Sequence, residues 1–251
     1  MNKVLGVIPA RLQSTRVPEK MLKDICGKPL IERTIERTRK AKSLDALVVA
    51  TDSPRIKEVV ERLGVEVIMT PSELPTGTDR VGAAAKQFKK FMPSIIVNIW
   101  GDEPLYPPEA IDECVSLLKA DSRLEVAGVA DLLEDRTLIN EPSIVKVLTN
   151  LNNDALVFTR SPIPYVRNKG SEIPVYHVIG AMAMRFDFLF SFLKLPQTPI
   201  ELMEGVEQMR ILEHGYRMRM VKGRYRNLGV NTLKELKKVR GIYRAREKHG
   251  K

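Results

Sequence analysis

The chain has 251 residues, 43% of them hydrophobic and 29% charged, a globular balance that excludes disordered and fibrous classes and leaves length enough for a sizeable core. Cys26 and Cys114 are too few for a disulfide framework and match no metal-ligand spacing; with no apolar run long enough to span a bilayer and no secretory leader pattern, a cytoplasmic protein without membrane insertion is expected. The formal net charge of +10 lies wholly in the last stretch, where thirteen Lys/Arg face two acids from Arg217 to Lys251, against twenty-eight and twenty-nine in the rest of the chain.

The apolar run Val4 to Val7 reads as a strand that breaks into IPARLQSTRVPEK, Ile8 to Lys20. A loop dense in Arg, Ser and Thr after a buried strand is suited to a multiply anionic ligand, and we read it as a triphosphate clamp. Arg11, Arg16 and Lys20 supply charge, while Ser14, Thr15 and backbone N–H groups supply short hydrogen bonds to phosphate oxygens. On three cations alone, an ordinary basic surface loop is the alternative. Gly27-Lys28-Pro29 then turns the chain into an amphipathic helix over Leu30 to Ala41. Leu47 to Thr51 is a β-branched apolar run expected of a doubly covered strand. Asp52-Ser53-Pro54 caps a helix over Arg55 to Leu63, which Gly64 ends. Val65 to Met69 reads as a strand, Asp79 to Phe91 as a helix and Ser94 to Ile99 as a fourth strand.

The second half changes character: Val126 to Asp131, Ile144 to Leu148, Ala155 to Thr159 and His177 to Arg185 read as strands without long helices between them. Glu201 to His214 reads as one helix, and the tail as a basic terminal helix over roughly 232–251. A solvated helical face is the reading for that tail. No nucleic-acid partner is expected, because no zinc-finger, helix-turn-helix or RNA-recognition signature accompanies it. The whole predicts an α/β fold with a mostly parallel sheet, added antiparallel strands and an inserted arm over roughly 159–175, all in a single domain over 1–251.

In an open parallel sheet the ligand lies beyond the carboxyl ends of the strands. Besides the opening loop, two segments occupy such places. Pro75-Thr76-Gly77-Thr78-Asp79-Arg80 is a small-residue turn that lets backbone approach a base or sugar, although it also reads as a plain helix start. Trp100-Gly101-Asp102-Glu103-Pro104 places an acidic pair after a buried strand, where Asp102 can meet Mg²⁺, a hard cation that prefers carboxylate and phosphate oxygen.

Together these segments resemble the cytidylyltransferases that activate acidic sugars, most closely the 3-deoxy-manno-octulosonate (Kdo) cytidylyltransferase family, with its Pro-Ala-Arg…Ser-Thr-Arg…Pro…Lys loop, Gly-Thr-Asp/Glu-Arg segment and Gly-Asp-Glu-Pro segment. The likeness continues at Val145-Lys146-Val147, at Phe158-Thr159-Arg160 and over ELMEGVEQMR, Glu201 to Arg210. The resemblance implies a Rossmann-like nucleotidyltransferase sheet and a homodimer. It also implies Mg²⁺-dependent transfer of CMP from CTP to a 2-keto sugar acid, with pyrophosphate released, as a step in lipopolysaccharide biosynthesis. By position it implies nucleotide contacts from Pro9, Ala10, Arg11, Ser14, Thr15, Arg16, Lys20, Gly77, Thr78 and Arg80, with Arg11, Lys20 and Asp102 catalytic. Trp100, Arg160, His177, Glu204 and Gln208 fall on the sugar side, with Asp102 and Asn231 toward the metal.

Four positions depart from that pattern. Glu19 stands where the family has glycine, putting an anion beside the phosphate loop; Trp100 replaces a glutamine; Asn231 replaces the family's second metal-binding aspartate; and His177 is displaced by one residue, which in a strand turns it to the other face. Enzymes of the spore-coat-polysaccharide type and sialic-acid cytidylyltransferases share less of the constellation. A catalytically silent nucleotide binder is the reading that Asn231 and Glu19 would favour.

Overall fold

The structure, a computed structural model, describes residues 3–168 and 173–248. In chain order the first half runs β1 (Val4–Ala10), β2 (Asp24–Ile25), β3 (Lys28–Pro29), α1 (Leu30–Thr38), β4 (Ala46–Thr51), α2 (Pro54–Arg62), β5 (Glu66–Met69), α3 (Gly77–Gln87), β6 (Ile95–Ile99) and α4 (Pro108–Ala120). The second half runs β7 (Val126–Leu132), β8 (Lys146–Thr149), β9 (Ala155–Thr159), β10 (Tyr176–Arg185), α5 (Phe186–Phe192), α6 (Pro199–Glu204), α7 (Gln208–Glu213), β11 (Met218–Gly223) and α8 (Leu233–Lys248).

The apolar strands read from sequence sit at the centre, as runs without a polar face must. A sheet has the order β11-β7-β10-β6-β1-β4-β5, with β8 paired to β10 and β9 to β8. Strands β6, β1, β4 and β5 are parallel, whereas β10 is antiparallel to β6, β7 and β8. One apolar layer packs α1, α2, α4 and α8 against one face of the sheet, and a second packs α3, α5 and α7 against the other. Because β1, β4 and β6 point the same way, the segments after Ala10, Thr51 and Ile99 emerge together at one edge.

Besides the two-residue strands β2 and β3 and the end of α1 at Thr38 instead of Ala41, the structure differs from the sequence reading in five elements. The helix expected to reach Phe91 stops at Gln87, because Phe88 turns to an extended backbone and buries its ring edge-on to Phe91, with centroids 4.9 Å apart. The helix expected over Glu201 to His214 is two, since Gly205 takes φ +61° and closes α6 through its N–H to Glu201 O at 2.8 Å. Three elements went unread: α4, which opens with proline in its first turn, α5, and β11, which pairs in parallel with β7. The Ser53 cap of α2 is as expected, its hydroxyl accepting from Ile56 N–H, and Gly64 takes φ +66° just after the end of the same helix. The excursion after β9 is irregular where described, and its residues 169–172 lie outside the described residues, as do 249–251 of the basic tail.

The basic tail has a structural role. Leu236, Val239 and Tyr243 of α8 face the core, the Tyr243 hydroxyl donates to Pro104 O at 2.7 Å, and Arg33 stacks over its ring at 4.4 Å. Ahead of the helix, Val230 N–H donates to Asp102 O at 2.9 Å. Helix α8 is thus the back wall of the acidic turn, while its cations point outward.

Candidate active site

Two adjoining clefts open at the edge where β1, β4 and β6 end. The smaller, of about 300 Å³, is lined by Pro9, Arg11, Ser14, Thr15, Arg16, Lys20, Gly77, Arg80 and Asp102, together with Gln13, Met21, Leu74, Pro75, Thr76, Trp100 and Gly101. The larger, of about 460 Å³, gathers Trp100, Arg160, His177, Gln208, Glu207, Asn98, Glu103, Asn227, Asn231 and Glu235. Pro9, Arg16, Gly77, Trp100 and Asp102 line both and form the seam between them. One cleft is therefore walled by the basic loop, the other by a mixed polar set, and an acid and a cation meet at the boundary.

The opening loop is held from the side of β4. Asp52 accepts from Leu12 N–H at 3.1 Å with one carboxylate oxygen, and its other oxygen lies 3.4 Å from Arg80 Nη2. Arg80 also donates to the Thr70 hydroxyl. Burial pushes the Arg80 guanidinium below its usual value while the Asp52 charge opposes this. Glu19 does not put an anion into the cleft: its carboxylate pairs with Arg55 on the outer side of the loop, and its backbone takes φ +51°, the left-handed region that glycine adopts freely. The Arg55 hydrogen bond holds the Glu19 carboxyl below its ordinary value.

The acidic turn after β6 needs close approach. A Cβ on Gly101 would lie 3.1 Å from Ile8 Cγ2 and 3.2 Å from Pro9 O, so glycine lets the turn sit against the end of β1. Thr34 Oγ1 donates to Gly101 O at 2.8 Å, and Trp100 N–H donates to Gly180 O at 2.8 Å. Asp102 Oδ2 accepts from Lys20 Nζ at 2.6 Å; the same ammonium is 3.5 Å from Asn231 Oδ1, which Arg16 Nη2 approaches at 3.3 Å. Beside them Glu103 is buried, accepts from Asn227 Nδ2, and has its carboxyl pushed up to about 8, by burial first and then by the Asp102 charge. Among the described residues, no group of three or more His, Cys, Asp or Glu side chains is gathered as a metal site.

Several expected residues play other parts. Ala10 is buried in the core behind the loop and lines neither cleft. Thr78 is also buried, with its hydroxyl donating to Glu207 Oε1 and accepting from Asn98 Nδ2 at 3.0 Å, so it ties α3 to α7 instead of facing the smaller cleft. Glu204 lines neither cleft: it accepts from the Thr159 hydroxyl and, at 2.9 Å, from Arg160 N–H. The Arg160 guanidinium reaches the larger cleft but gives three of its five N–H donors to the carbonyls of Glu204, Pro142 and Gly205. His177 lines the larger cleft despite its displacement, in a strand whose register with β7 shifts between Ile179 and Met182 at Gly180 (φ +39°). Its Nε2 is 4.0 Å from Asp131 Oδ2; burial lowers its pKa and the Asp131 charge opposes that shift.

Residues 5–221 match the family model described as "Cytidylyltransferase". The chain belongs to the cytidylyltransferase family. It is 42% identical over 249 residues to a 3-deoxy-manno-octulosonate cytidylyltransferase of Chlorobaculum tepidum, covering 98% of this chain and 99% of that one. The corresponding protein of Chloroherpeton thalassium is 40% identical over 245 residues, covering 96% and 97%. Among solved structures, a CMP:2-keto-3-deoxy-manno-octonic acid synthetase complexed with CTP superposes with a TM-score of 0.90 at 35% identity, covering 97% of this chain and 99% of that one.

Sequence reasoning missed four residues of this cytidylyltransferase that shape its clefts. Asp52 follows directly on a parallel strand, the position where ligand-side groups are expected, yet its Asp-Ser-Pro context reads as a helix cap. Asn98 is a polar residue inside the apolar strand SIIVNI, a signal that a buried partner is needed. Glu103 was legible as the neighbour of Asp102, but not as a buried group. Asn227 had no signal, since its partner Glu103 is 124 positions away.

Proposed function

We propose that the protein transfers CMP from CTP to the anomeric hydroxyl of 3-deoxy-manno-octulosonate or a closely related 2-keto sugar acid and releases pyrophosphate. The observation that carries this reading is the pair of clefts meeting at Arg16, Trp100 and Asp102. In-line transfer needs the α-phosphorus and the attacking hydroxyl at one boundary, with the triphosphate on one side and the sugar on the other. The smaller cleft presents Arg11, Arg16 and Lys20 to a polyanion. The larger presents Asn98 Oδ1, Asn227 Oδ1 and Glu207 Oε2, three buried polar atoms without a protein partner among the described residues, which the hydroxyl groups of a polyol satisfy. Arg160 keeps two N–H groups for the substrate carboxylate. In the reaction the sugar oxygen bonds to the α-phosphorus as the bond to the β-phosphate oxygen breaks, and the hydroxyl proton is released.

Mg²⁺ is part of the proposal. Asp102 offers a carboxylate oxygen and Asn231 an amide oxygen, both hard donors, and both already face a single cationic centre in the Lys20 ammonium, so the residues present fit such an ion when phosphate oxygens complete its shell. The ion would neutralise charge developing on the triphosphate. The relatives' names and the CTP-bound structure support the substrate pair. A homodimer belongs to the same reading: Leu156 on β9, Leu202 and Met203 on α6 and Tyr165 in the arm are exposed large apolar side chains of the sort a second copy covers. Small-angle scattering from a monomer at micromolar concentration would count against the dimer. The function is tested by pyrophosphate release from CTP, UTP, ATP and GTP against a panel of 2-keto sugar acids. Release with CTP and a Kdo-like acid is expected, and equal release from all four triphosphates would refute it.

A further inference from the structure

The Lys20 ammonium stands between two oxygens that the proposed function assigns to a divalent cation. It lies 2.6 Å from Asp102 Oδ2 and 3.5 Å from Asn231 Oδ1, and the second oxygen also receives Arg16 Nη2 at 3.3 Å. The pair is well enclosed, the Lys20 side chain being 11% and the Asp102 side chain 24% exposed. Two cations therefore occupy the side of these oxygens that a metal would use, while the Glu235 carboxylate stands behind Asn231, accepting its N–H at 2.7 Å; a further cation has to displace the ammonium, and a polyanion offers the ammonium another partner. Lys20 belongs equally to the wall of the smaller cleft, and its four-carbon stem lets the ammonium move by side-chain rotation with the backbone in place.

We propose that Lys20 is an internal counter-cation with two positions. Without nucleotide its ammonium fills the gap between Asp102 and Asn231 and keeps divalent metal out. The triphosphate, richer in negative charge than Asp102, draws the ammonium to its own oxygens, and the two protein oxygens become available to the metal that accompanies it. Lys20 thereby orders the ligands: nucleotide binds before metal or with it, and the free protein holds no divalent ion to misdirect. Asn231 takes part by being neutral, since an aspartate there would hold the ammonium, or a metal, more firmly. This inference rests on the CTP-dependent reading above.

The probe is Mn²⁺, titrated into the full-length protein without nucleotide and followed by the loss of the free-ion electron paramagnetic resonance signal. Wild type should bind weakly. Lys20→Met and Lys20→Gln should each bind one Mn²⁺ at least tenfold more tightly, and adding Asp102→Asn to either should abolish the gain. Tight stoichiometric binding by wild type overturns the proposal, and this arm does not depend on any variant folding. Unchanged affinity in both folded Lys20 variants, or a gain that survives Asp102→Asn, overturns it as well. A separate arm tests the underlying reading: wild-type protein with CTP should enhance the water-proton relaxation rate of Mn²⁺, and no enhancement would sink nucleotide-dependent metal binding whatever the Lys20 variants do.

Discussion

Replacing Asp52 by alanine should damage the phosphate loop from behind. Asp52 receives Leu12 N–H at 3.1 Å and faces Arg80 at 3.4 Å, with side chains 14% and 3% exposed, so the substitution strands a buried guanidinium and frees a loop amide. Removing one partner of a buried ion pair costs about 3–5 kcal/mol. The single long contact to Arg80 and the partial exposure of Asp52 put this case near 3 kcal/mol. For a chain of this size that lowers the melting temperature by about 6–12 °C. Because Leu12 and Arg80 flank the smaller cleft, KM for CTP should rise roughly tenfold, which corresponds to about 1.4 kcal/mol of lost binding. The assay pairs thermal melts with pyrophosphate release at saturating sugar acid. A double variant, Asp52→Ala with Arg80→Met, replaces the ion pair by apolar atoms and should recover part of the stability without recovering KM. An Asp52→Ala protein that melts within about 2 °C of wild type with unchanged KM would show that Asp52 neither supports Arg80 nor shapes the loop.

Three other substitutions probe separate parts of the site. Arg11 is exposed on the smaller cleft, so Arg11→Ala should lower turnover roughly ten- to a thousandfold, equivalent to about 1.4–4 kcal/mol, with little change in melting; wild-type turnover at saturating CTP would remove it from the clamp. Asn231→Asp should lower the Mg²⁺ concentration for half-maximal rate about tenfold at saturating CTP, by adding one charge near the ion; an unchanged or higher requirement would contradict the metal assignment. Burial raises the Glu207 carboxyl above its ordinary value of 4.5, so between 4.5 and the raised value the folded protein holds a proton that the unfolded chain has lost. Its contribution to stability is full below 4.5 and disappears as pH rises through the raised value. Glu207→Gln mimics the protonated form and should gain stability relative to wild type as pH rises above 4.5 and through the raised value; parallel melting curves would mean that Glu207 does not titrate in the fold.

The parallel half of the sheet was legible because each strand is a β-branched apolar run ended by a turn or cap, as with Leu47 to Thr51 before Ser53. Helix α4 was not, because Pro107-Pro108 reads as loop although proline is favoured in a first helical turn. Strand β11 alternates basic and apolar residues in MRMVKG and merged with the basic tail, whereas its burial comes from pairing with β7. At the site, the rule that ligand lies beyond the strand ends picked out the opening loop and the acidic turn. It said nothing of which side chains hold those groups, because the holders come from far along the chain: Thr78 meets Glu207 across 129 positions and Lys20 meets Asn231 across 211. Motif spacing likewise does not reveal internal bonds: Thr78 and Glu204 occupy motif positions, and in the structure their side chains bond to Glu207 and to Thr159 and Arg160.

The central claim is transfer of the cytidylyl group, and phosphorus NMR of the purified protein with CTP, Mg²⁺ and 3-deoxy-manno-octulosonate observes it directly. The account predicts a phosphodiester resonance for a CMP-sugar acid growing in step with pyrophosphate, and no consumption of CTP when the sugar is left out. CTP left intact with every 2-keto sugar acid, or CMP and pyrophosphate formed without a sugar conjugate, would contradict it.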